Sequence, residues 1–85
     1  MAHHDLKLSA EFWDASERGD KPFEVRLNDR GYAVGDTLRM REVSGPISRA
    51  KLTGRVGKLW LVSFILPLSP VNVRLVVLGL REVPE

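Results

Sequence analysis

The stretch that decides this fold is Gly19–Arg30, which reads GDKPFEVRLNDR. Gly19 suits the left-handed turn that closes a helix. Pro22 prevents that helix from resuming and favours an extended conformation at Lys21. Beyond Pro22, apolar and polar residues alternate, which predicts a strand over Phe23–Leu27 with two sets of side chains on opposite faces.

The two faces of this predicted strand carry different chemistry. The apolar set, which we expect to cover a core, is Phe23, Val25 and Leu27. The polar set on the opposite face is Glu24, Arg26 and Asn28. Because Lys21 directly precedes the strand, a lysine, a carboxylate and an arginine are expected close together on a rigid element.

The residues upstream predict a strand followed by a helix. Asp5–Leu8 reads as a short first strand, and Ser9 is a favourable N-cap for the segment that follows. Residues 10–18 predict a helix of about two and a half turns. Phe12 and Trp13 are interpreted as core anchors that pin this helix to the sheet.

Downstream, three further strands are predicted. Thr37–Val43 alternates, with Leu38 and Met40 on one face and two arginines on the other. Val56–Leu66 is apolar on both faces, which predicts a strand buried on two sides. The basic segment Arg49–Arg55 is interpreted as a mobile hairpin. The last predicted strand is Val71–Leu80.

These elements predict an α+β, mostly β fold of about five strands and one main helix near residues 10–18. The chain has 85 residues, which is the size of a single domain, residues 1–85. Few, short strands joined by tight turns favour a sheet that curls into a barrel.

The net charge of +2 conceals an uneven distribution along the chain. Residues 1–25 carry three basic and six acidic side chains, whereas residues 26–58 carry eight basic and three acidic side chains, a net charge of +5. Nine of the thirteen cations are arginine, the residue suited to bidentate phosphate contacts. The basic middle segment indicates either a polyanion-binding surface or a solvated face.

Several classes of site lack the residues they need. There is no cysteine, and the two histidines are adjacent near the amino terminus, so no metal site is predicted. No glycine-rich phosphate loop precedes a helix, and no cofactor is predicted. The most apolar run, Leu59–Leu68, is too short to span a membrane, and Met1–Ala10 lacks a secretory signal. We therefore expect a cytoplasmic protein.

The motif Gly19-x-Lys21-x-x-Glu24-x-Arg26, followed by Asn28-Asp29-Arg30 and Val34-Gly35-Asp36, resembles the ASCH family of the PUA-like superfamily. More narrowly, it resembles a small ASCH-like bacterial and phage family with no assigned function. The similarity extends from His4 to Glu42, with weaker matches at residues 53–55 and 76–80. It implies a PUA-like pseudo-β-barrel whose helix plugs one side.

The resemblance implies a module that binds RNA, a modified base or a nucleotide. In this interpretation Lys21 and Arg26 hold a phosphate or a base edge, while Glu24 accepts from an amino group or orients Arg26. Tyr32 either stacks on a base or caps the barrel. The predicted ligand-binding residues are Lys21, Glu24, Arg26, Asn28, Arg30, Arg39 and Arg41.

Three alternatives remain open at this point. Small ASCH-fold amidohydrolases act on acetylated cytidine and share Gly19, Lys21 and Arg26, which would make Lys21 and Glu24 catalytic. Those enzymes carry a threonine nucleophile where this chain has Glu24, so an enzyme is not the favoured interpretation. Alternatively, the chain is a protein-interaction module, or Glu24 and Arg26 form a structural ion pair.

Overall fold

The computed structural model describes residues 1–85. It contains five β-strands, one α-helix and one short 3-10 turn at Ile47–Arg49. In chain order the regular elements are β1 (His3–Ser9), α1 (Ala10–Glu17), β2 (Phe23–Leu27), β3 (Thr37–Ser44), β4 (Lys51–Pro67) and β5 (Leu75–Glu82).

All five strands form one sheet in the order β1-β3-β4-β5-β2. β1 runs parallel to β3, and every other neighbouring pair is antiparallel. The sheet curls into a half-barrel, and its two edge strands, β1 and β2, do not pair with each other. The predicted class, a mostly β fold of five strands with one helix near residues 10–18, is therefore confirmed.

The hydrophobic core fills the inner face of the half-barrel. Every strand except β2 contributes apolar side chains to it, and α1 contributes Trp13. The buried apolar residues are Leu6, Leu8, Trp13, Tyr32, Leu38, Met40, Trp60, Val62, Val76, Leu78 and Leu80. The buried position of Trp13 confirms its predicted role as a core anchor.

Strand β3 follows its sequence pattern. Leu38 and Met40 are fully buried, whereas Arg39 and Arg41 lie on the outer face. The turn before the strand is closed by Gly35, which adopts a φ of +98° that favours glycine. The predicted orientation of this strand is thus confirmed.

Strand β2 has the predicted boundaries but the opposite orientation. Phe23, Val25 and Leu27 are 42–54% exposed, whereas Glu24 is only 2% exposed. The expectation that the apolar set covers the core is therefore wrong. The physical reason lies in β5, where both faces are apolar, so that β2 finds hydrophobic neighbours on the outer face.

Strand β4 is not buried on both sides, contrary to the sequence prediction. Trp60 and Val62 are buried, but Phe64 is largely exposed. Ser63 is an extra residue between the pairs of Val62 and Phe64 with β5, which makes it a β-bulge. Beyond the bulge Ile65 packs on the core instead. The apolar residues at both even and odd positions of β4 therefore reflect a shift of the core-facing positions at Ser63, and not burial of both faces of the strand.

Two further boundaries differ from the prediction. Lys51–Arg55, interpreted as part of a mobile hairpin, is the first part of the long strand β4 and pairs with the end of β3. The last strand begins at Leu75, and not at Val71, because residues 70–74 form turns. In this segment the backbone N–H of Asn72 donates to Leu68 O at 2.7 Å, which is a turn contact.

Helix α1 ends where the sequence indicated. Gly19 adopts the left-handed conformation, with a φ of +83°, and its N–H donates to Ser16 O at 3.1 Å. Ser9 occupies the N-cap position, although its side chain makes no capping hydrogen bond. Phe12 is 45% exposed, so its predicted role as a core anchor is wrong.

The helical content of the chain is small. The single α-helix has eight residues, which corresponds to about 12 Å of helix. None of the helices is long and apolar enough to cross a membrane.

Candidate functional site

Lys21, Glu24 and Arg26 meet around one buried carboxylate. Arg26 Nη2 donates to Glu24 Oε1 at 2.7 Å, and Lys21 Nζ donates to Glu24 Oε2. The Glu24 side chain is 3% exposed, whereas the side chains of both cations are about one quarter exposed. The cluster thus places a buried anion behind two cations that solvent can reach.

Local structure fixes the position of Lys21. Its backbone N–H donates to Ala15 O at 3.0 Å, which ties the residue to the end of α1. Its ammonium lies 5.2 Å from the ring centroid of Phe23 and 6.0 Å from that of Phe12, within the range of cation–π attraction. Pro22 then starts the chain on the path into β2.

Arg26 spans the split between the two edge strands. Besides Glu24, its Nη2 atom donates to Lys7 O of β1 at 2.7 Å. Arg30 makes a parallel contact, because its Nη1 atom donates to Asp5 O of β1 at 3.1 Å. Two arginines therefore satisfy carbonyl groups on the free edge of β1 where no neighbouring strand does.

Two clefts run side by side along this split and share Val25 and Arg26. The first has a volume of about 380 Å³ and is lined by Lys7, Leu8, Ser9, Phe12, Lys21, Glu24, Val25 and Arg26. The second has a volume of about 340 Å³ and is lined by Leu6, Val25, Arg26, Leu27, Asp29, Arg30, Tyr32 and Leu75. Each lies at the lower end of the size range of small-molecule sites.

The charge in the first cleft is positive. Its lining holds three cations, Lys7, Lys21 and Arg26, and a single anion, Glu24. Lys7 is exposed and forms no salt bridge, so its charge is not compensated within the protein. Because two charges remain uncompensated after the Glu24 pairing, the cleft favours an anionic group.

The second cleft contains the only tyrosine of the chain. Tyr32 is 9% exposed, and its ring packs edge to face on His4 with centroids 4.8 Å apart. Burial raises the pKa of Tyr32 above its ordinary value of 10.0, and the charges of Arg30 and Arg26 oppose that rise. The residue therefore serves as a neutral wall of the cleft at neutral pH.

The remaining predicted residues lie apart from the clefts. Arg39 and Arg41 are on the outer face, where Arg39 Nη2 contacts Glu85 Oε2 at 2.8 Å and Arg41 Nη2 contacts Asp5 Oδ2 at 3.3 Å. Asn28 is exposed beside Arg74, outside both clefts. The structure thus joins Lys21, Glu24, Arg26 and Arg30 and separates them from the other three.

Comparison with known proteins places the chain in a family. A family described as "Domain of unknown function (DUF3850)" matches residues 3–80. This chain belongs to the DUF3850 family. The match includes the whole of β1, α1, β2, β3 and β4, together with most of β5.

A relative of this DUF3850 member comes from a bacteriophage. It is an "Uncharacterized 12.9 kDa protein in GpA 3'region" of Escherichia phage P2 and is 35% identical over 69 residues. The alignment covers 74% of this chain and 63% of the relative. The DUF3850 chain described here thus spans less than two thirds of that relative's length.

A second polar cluster of the DUF3850 member was not found from the sequence. His4 Nε2 lies 2.9 Å from Asp36 Oδ2, and Asp36 also accepts from the backbone N–H groups of Ala2 and Ala33, both at 3.0 Å. These bonds, the one from His4 first, hold the pKa of Asp36 below its ordinary value of 3.8. The contact depends on two segments that are far apart in the chain, and the periodicity of the sequence does not reveal that they pair.

A third cluster lies around Glu42, near the carboxyl-terminal end of β3. Glu42 is buried and accepts from Thr53 Oγ1 at 2.7 Å and from Arg55 Nη1 at 3.3 Å. Arg55 also lies 5.3 Å from the ring centroid of Trp13. Because these contacts connect β3, β4 and α1 and engage both oxygens of Glu42, we interpret the cluster as structural.

The largest cavity of the molecule, about 530 Å³, lies between α1 and the first part of β4. Its lining residues are Trp13, Asp14, Glu17, Arg18, Arg55, Val56 and Lys58. Here three cations face two carboxylates, and Glu17 is bound to the backbone N–H of Lys58 at 2.9 Å. The first cleft at the split is the better candidate because its charge is less compensated. No group of three or more potential metal ligands exists anywhere in the structure.

Proposed function

We propose that this protein is an ASCH-like, PUA-like module that binds single-stranded RNA or a nucleotide in the clefts between β1 and β2. The observation that carries the proposal is the meeting of Lys21, Glu24 and Arg26 with the unpaired Lys7 at the mouth of one cleft. Phosphate provides the anion that this excess of positive charge favours.

The buried carboxylate supplies a second element of recognition. Glu24 has both oxygens engaged by cations in the free protein. A base that offers an exocyclic amino group, as cytosine and adenine do, replaces one of these bonds, and the released cation then meets a phosphate. The pairing of Glu24 with Lys21 and Arg26 therefore favours a ligand with both a donor and an anionic group.

The surface that we propose is smaller than the basic surface expected from the sequence. Arg39 and Arg41 are paired on the outer face and lie away from the clefts, so they contribute only long-range attraction. Arg30 remains in the proposed surface because it lines the second cleft. The proposed contacts are therefore Lys7, Lys21, Glu24, Arg26 and Arg30.

The test is a salt titration of binding to fluorescent single-stranded RNA. We expect log affinity to fall with log salt at a slope of about −0.7 for each contacted phosphate. Lys7→Ala should weaken binding and reduce the slope by one such unit, whereas Lys51→Ala should have little effect. Both lysines are exposed, lie on strands and form no salt bridge, so this pair is matched.

Arg26→Ala and Arg49→Ala give a second matched comparison. Arg26 lies on a strand at the split, and Arg49 lies in the exposed turn between β3 and β4. We expect a larger loss for Arg26→Ala, measured at a temperature where both variants are folded. Absence of binding at low salt, or equal losses within each pair, would reject the proposed site.

The amidohydrolase alternative is separated by a direct assay. No specific contact favours it, since Glu24 occupies the position of the threonine nucleophile and is paired with Lys21. We expect no hydrolysis of acetylated cytidine. Clear turnover that is lost in Lys21→Ala would replace the binding proposal with an enzymatic one.

A further inference from the structure

The outer face of β2, β5 and the last part of β4 is apolar and uncovered. The strand register aligns its side chains in rows, with Phe23 opposite Gly79 and Gly79 opposite Phe64. The next row joins Val25, Val77 and Leu66 across the same three strands. We propose that this surface, the outer apolar face, is where a second copy of the chain binds to form a symmetric dimer.

The size of the outer apolar face fits a small dimer interface. Its five most exposed side chains are Phe23, Val25, Leu27, Phe64 and Leu66, each 42–57% exposed. Taking roughly 150–200 Å² for each fully exposed side chain, these five and the adjacent Val73 present about 550 Å². If all of this area were covered, two copies would bury about 1,100 Å², close to the lower limit for a specific interface.

The composition of the face favours a second copy over a partner of opposite charge. The two rows contain no charged residue, and the one cation at their margin is Lys21, whose ammonium lies over the Phe23 ring and is paired with Glu24. The face therefore has little charge that would select a partner of opposite sign. The net charge of the chain is only +2, which leaves weak repulsion between two copies.

The shape of the face is suited to pairing with itself. Gly79 lies between the rings of Phe23 and Phe64, and a Cβ atom placed on it would be 3.1 Å from the Cβ of Phe64. The glycine thus lets the Phe64 side chain lie close over β5 beside Phe23. In a two-fold interface each residue meets its equivalent set, so the rings of one copy can pack against the apolar rows of the other.

Sedimentation over a range of concentrations tests the proposal directly. We expect wild type to approach twice its monomer mass at high concentration, with a dissociation constant of about 1–100 μM, because the entropy cost of association offsets most of what so small an interface contributes. Phe64→Lys should weaken association at least about tenfold. The control Ile47→Lys changes a fully exposed residue in the turn before β4, far from the face in the sheet, and should leave association unchanged.

Two additional measurements keep the result specific to this face. A mixture of Phe64→Lys and Phe64→Glu should associate more tightly than either variant alone, because opposite charges then meet across the two-fold. Since the chain has no cysteine, Leu66→Cys should form a disulfide-linked dimer faster than the control Ile47→Cys. A wild type that stays monomeric at its highest attainable concentration, or equal crosslinking in both cysteine variants, would overturn the proposal and assign the face to another occupant.

Discussion

Strands β2 and β3 carry nearly the same alternation of apolar and charged residues, yet they face opposite ways. In β3 the apolar residues Leu38 and Met40 are fully buried and the arginines are outside. In β2 it is Glu24 that is buried, while Val25 and Leu27 remain about half exposed. Alternation therefore determines which side chains share a face, and the neighbouring strands determine which face points inward.

Their positions in the sheet explain the difference. β3 lies between β1 and β4, so its inner face is covered by core residues from both sides. β2 is an edge strand beside an open split, where an inward carboxylate meets Lys21 and Arg26 and is not left unpaired. A charged inner face is tolerated there because the two cations satisfy it and solvent reaches them.

The largest expected effect tests the inverted orientation of β2. Leu38→Ala removes a fully buried side chain and should lower the free energy of unfolding by about 2–5 kcal/mol. Leu27→Ala makes the same chemical change on an exposed side chain and should cost less than about 1 kcal/mol. Denaturant unfolding at low protein concentration measures both values. Similar losses for the two leucines would contradict the assigned faces.

A second pair of variants compares the arginines of the two strands. Arg26→Ala leaves the buried Glu24 with Lys21 alone and should cost about 1–3 kcal/mol, because the remaining cation compensates only part of the charge. Arg39→Ala breaks a pair with the half-exposed Glu85 and should cost about 1 kcal/mol or less. Replacing both partners, in Glu24→Leu/Arg26→Met, should recover part of the loss. If the two single variants lost equal stability, Arg26 would contribute no more to folding than an exposed surface arginine.

The third comparison concerns the entrance to β3, where the Asp36 carboxylate accepts hydrogen bonds from the backbone N–H groups of Ala2 and Ala33. The pKa of Asp36 is lowered in the folded state, so its contribution to stability is present above pH 3.8 and is lost as the pH falls through the lowered value. Asp36→Asn should therefore reduce stability at neutral pH by about 1–3 kcal/mol and make unfolding less dependent on pH below about 4.

The control for this measurement is Asp5→Asn. The pKa of Asp5 is also lowered, mainly by its hydrogen bond with His3, but Asp5 is exposed and its interactions are screened by solvent. Acid unfolding followed by fluorescence should show a smaller change for this variant. An unchanged acid limb in Asp36→Asn would show that Asp36 does not fix the turn into β3.

The parts of the fold that depend on local chemistry were predictable from the sequence. Gly19 ends the helix, and Pro22 precedes β2, whose limits Phe23–Leu27 were predicted correctly. The orientation of β2 depends on its pairing with residues 75–79 of β5, which are about fifty positions away, and no local pattern contains that information. The same applies to Ser63, whose bulge is defined only by its register against β5.

The candidate site was predictable in part for the same reason. Lys21, Glu24 and Arg26 are neighbours in sequence, so their proximity follows from a short strand. Lys7 reaches the cleft only because the sheet curls until β1 faces β2. His4 and Asp36 meet through the parallel pairing of β1 with β3, and Arg39 and Arg41 are separated from the cleft by the same curvature.

The bulge at Ser63 has a consequence for comparing DUF3850 sequences with one another. Before this residue, even-numbered positions of β4 such as Trp60 and Val62 require apolar side chains for the core; after it, the requirement passes to Ile65. An alignment that places its gap a few residues away from Ser63 would match core positions of one sequence with surface positions of another. The strand would then appear more tolerant of substitution than it is. Substitution profiles from saturation mutagenesis should change phase at Ser63, which gives aligned relatives a fixed point for the part of β4 that pairs with β5.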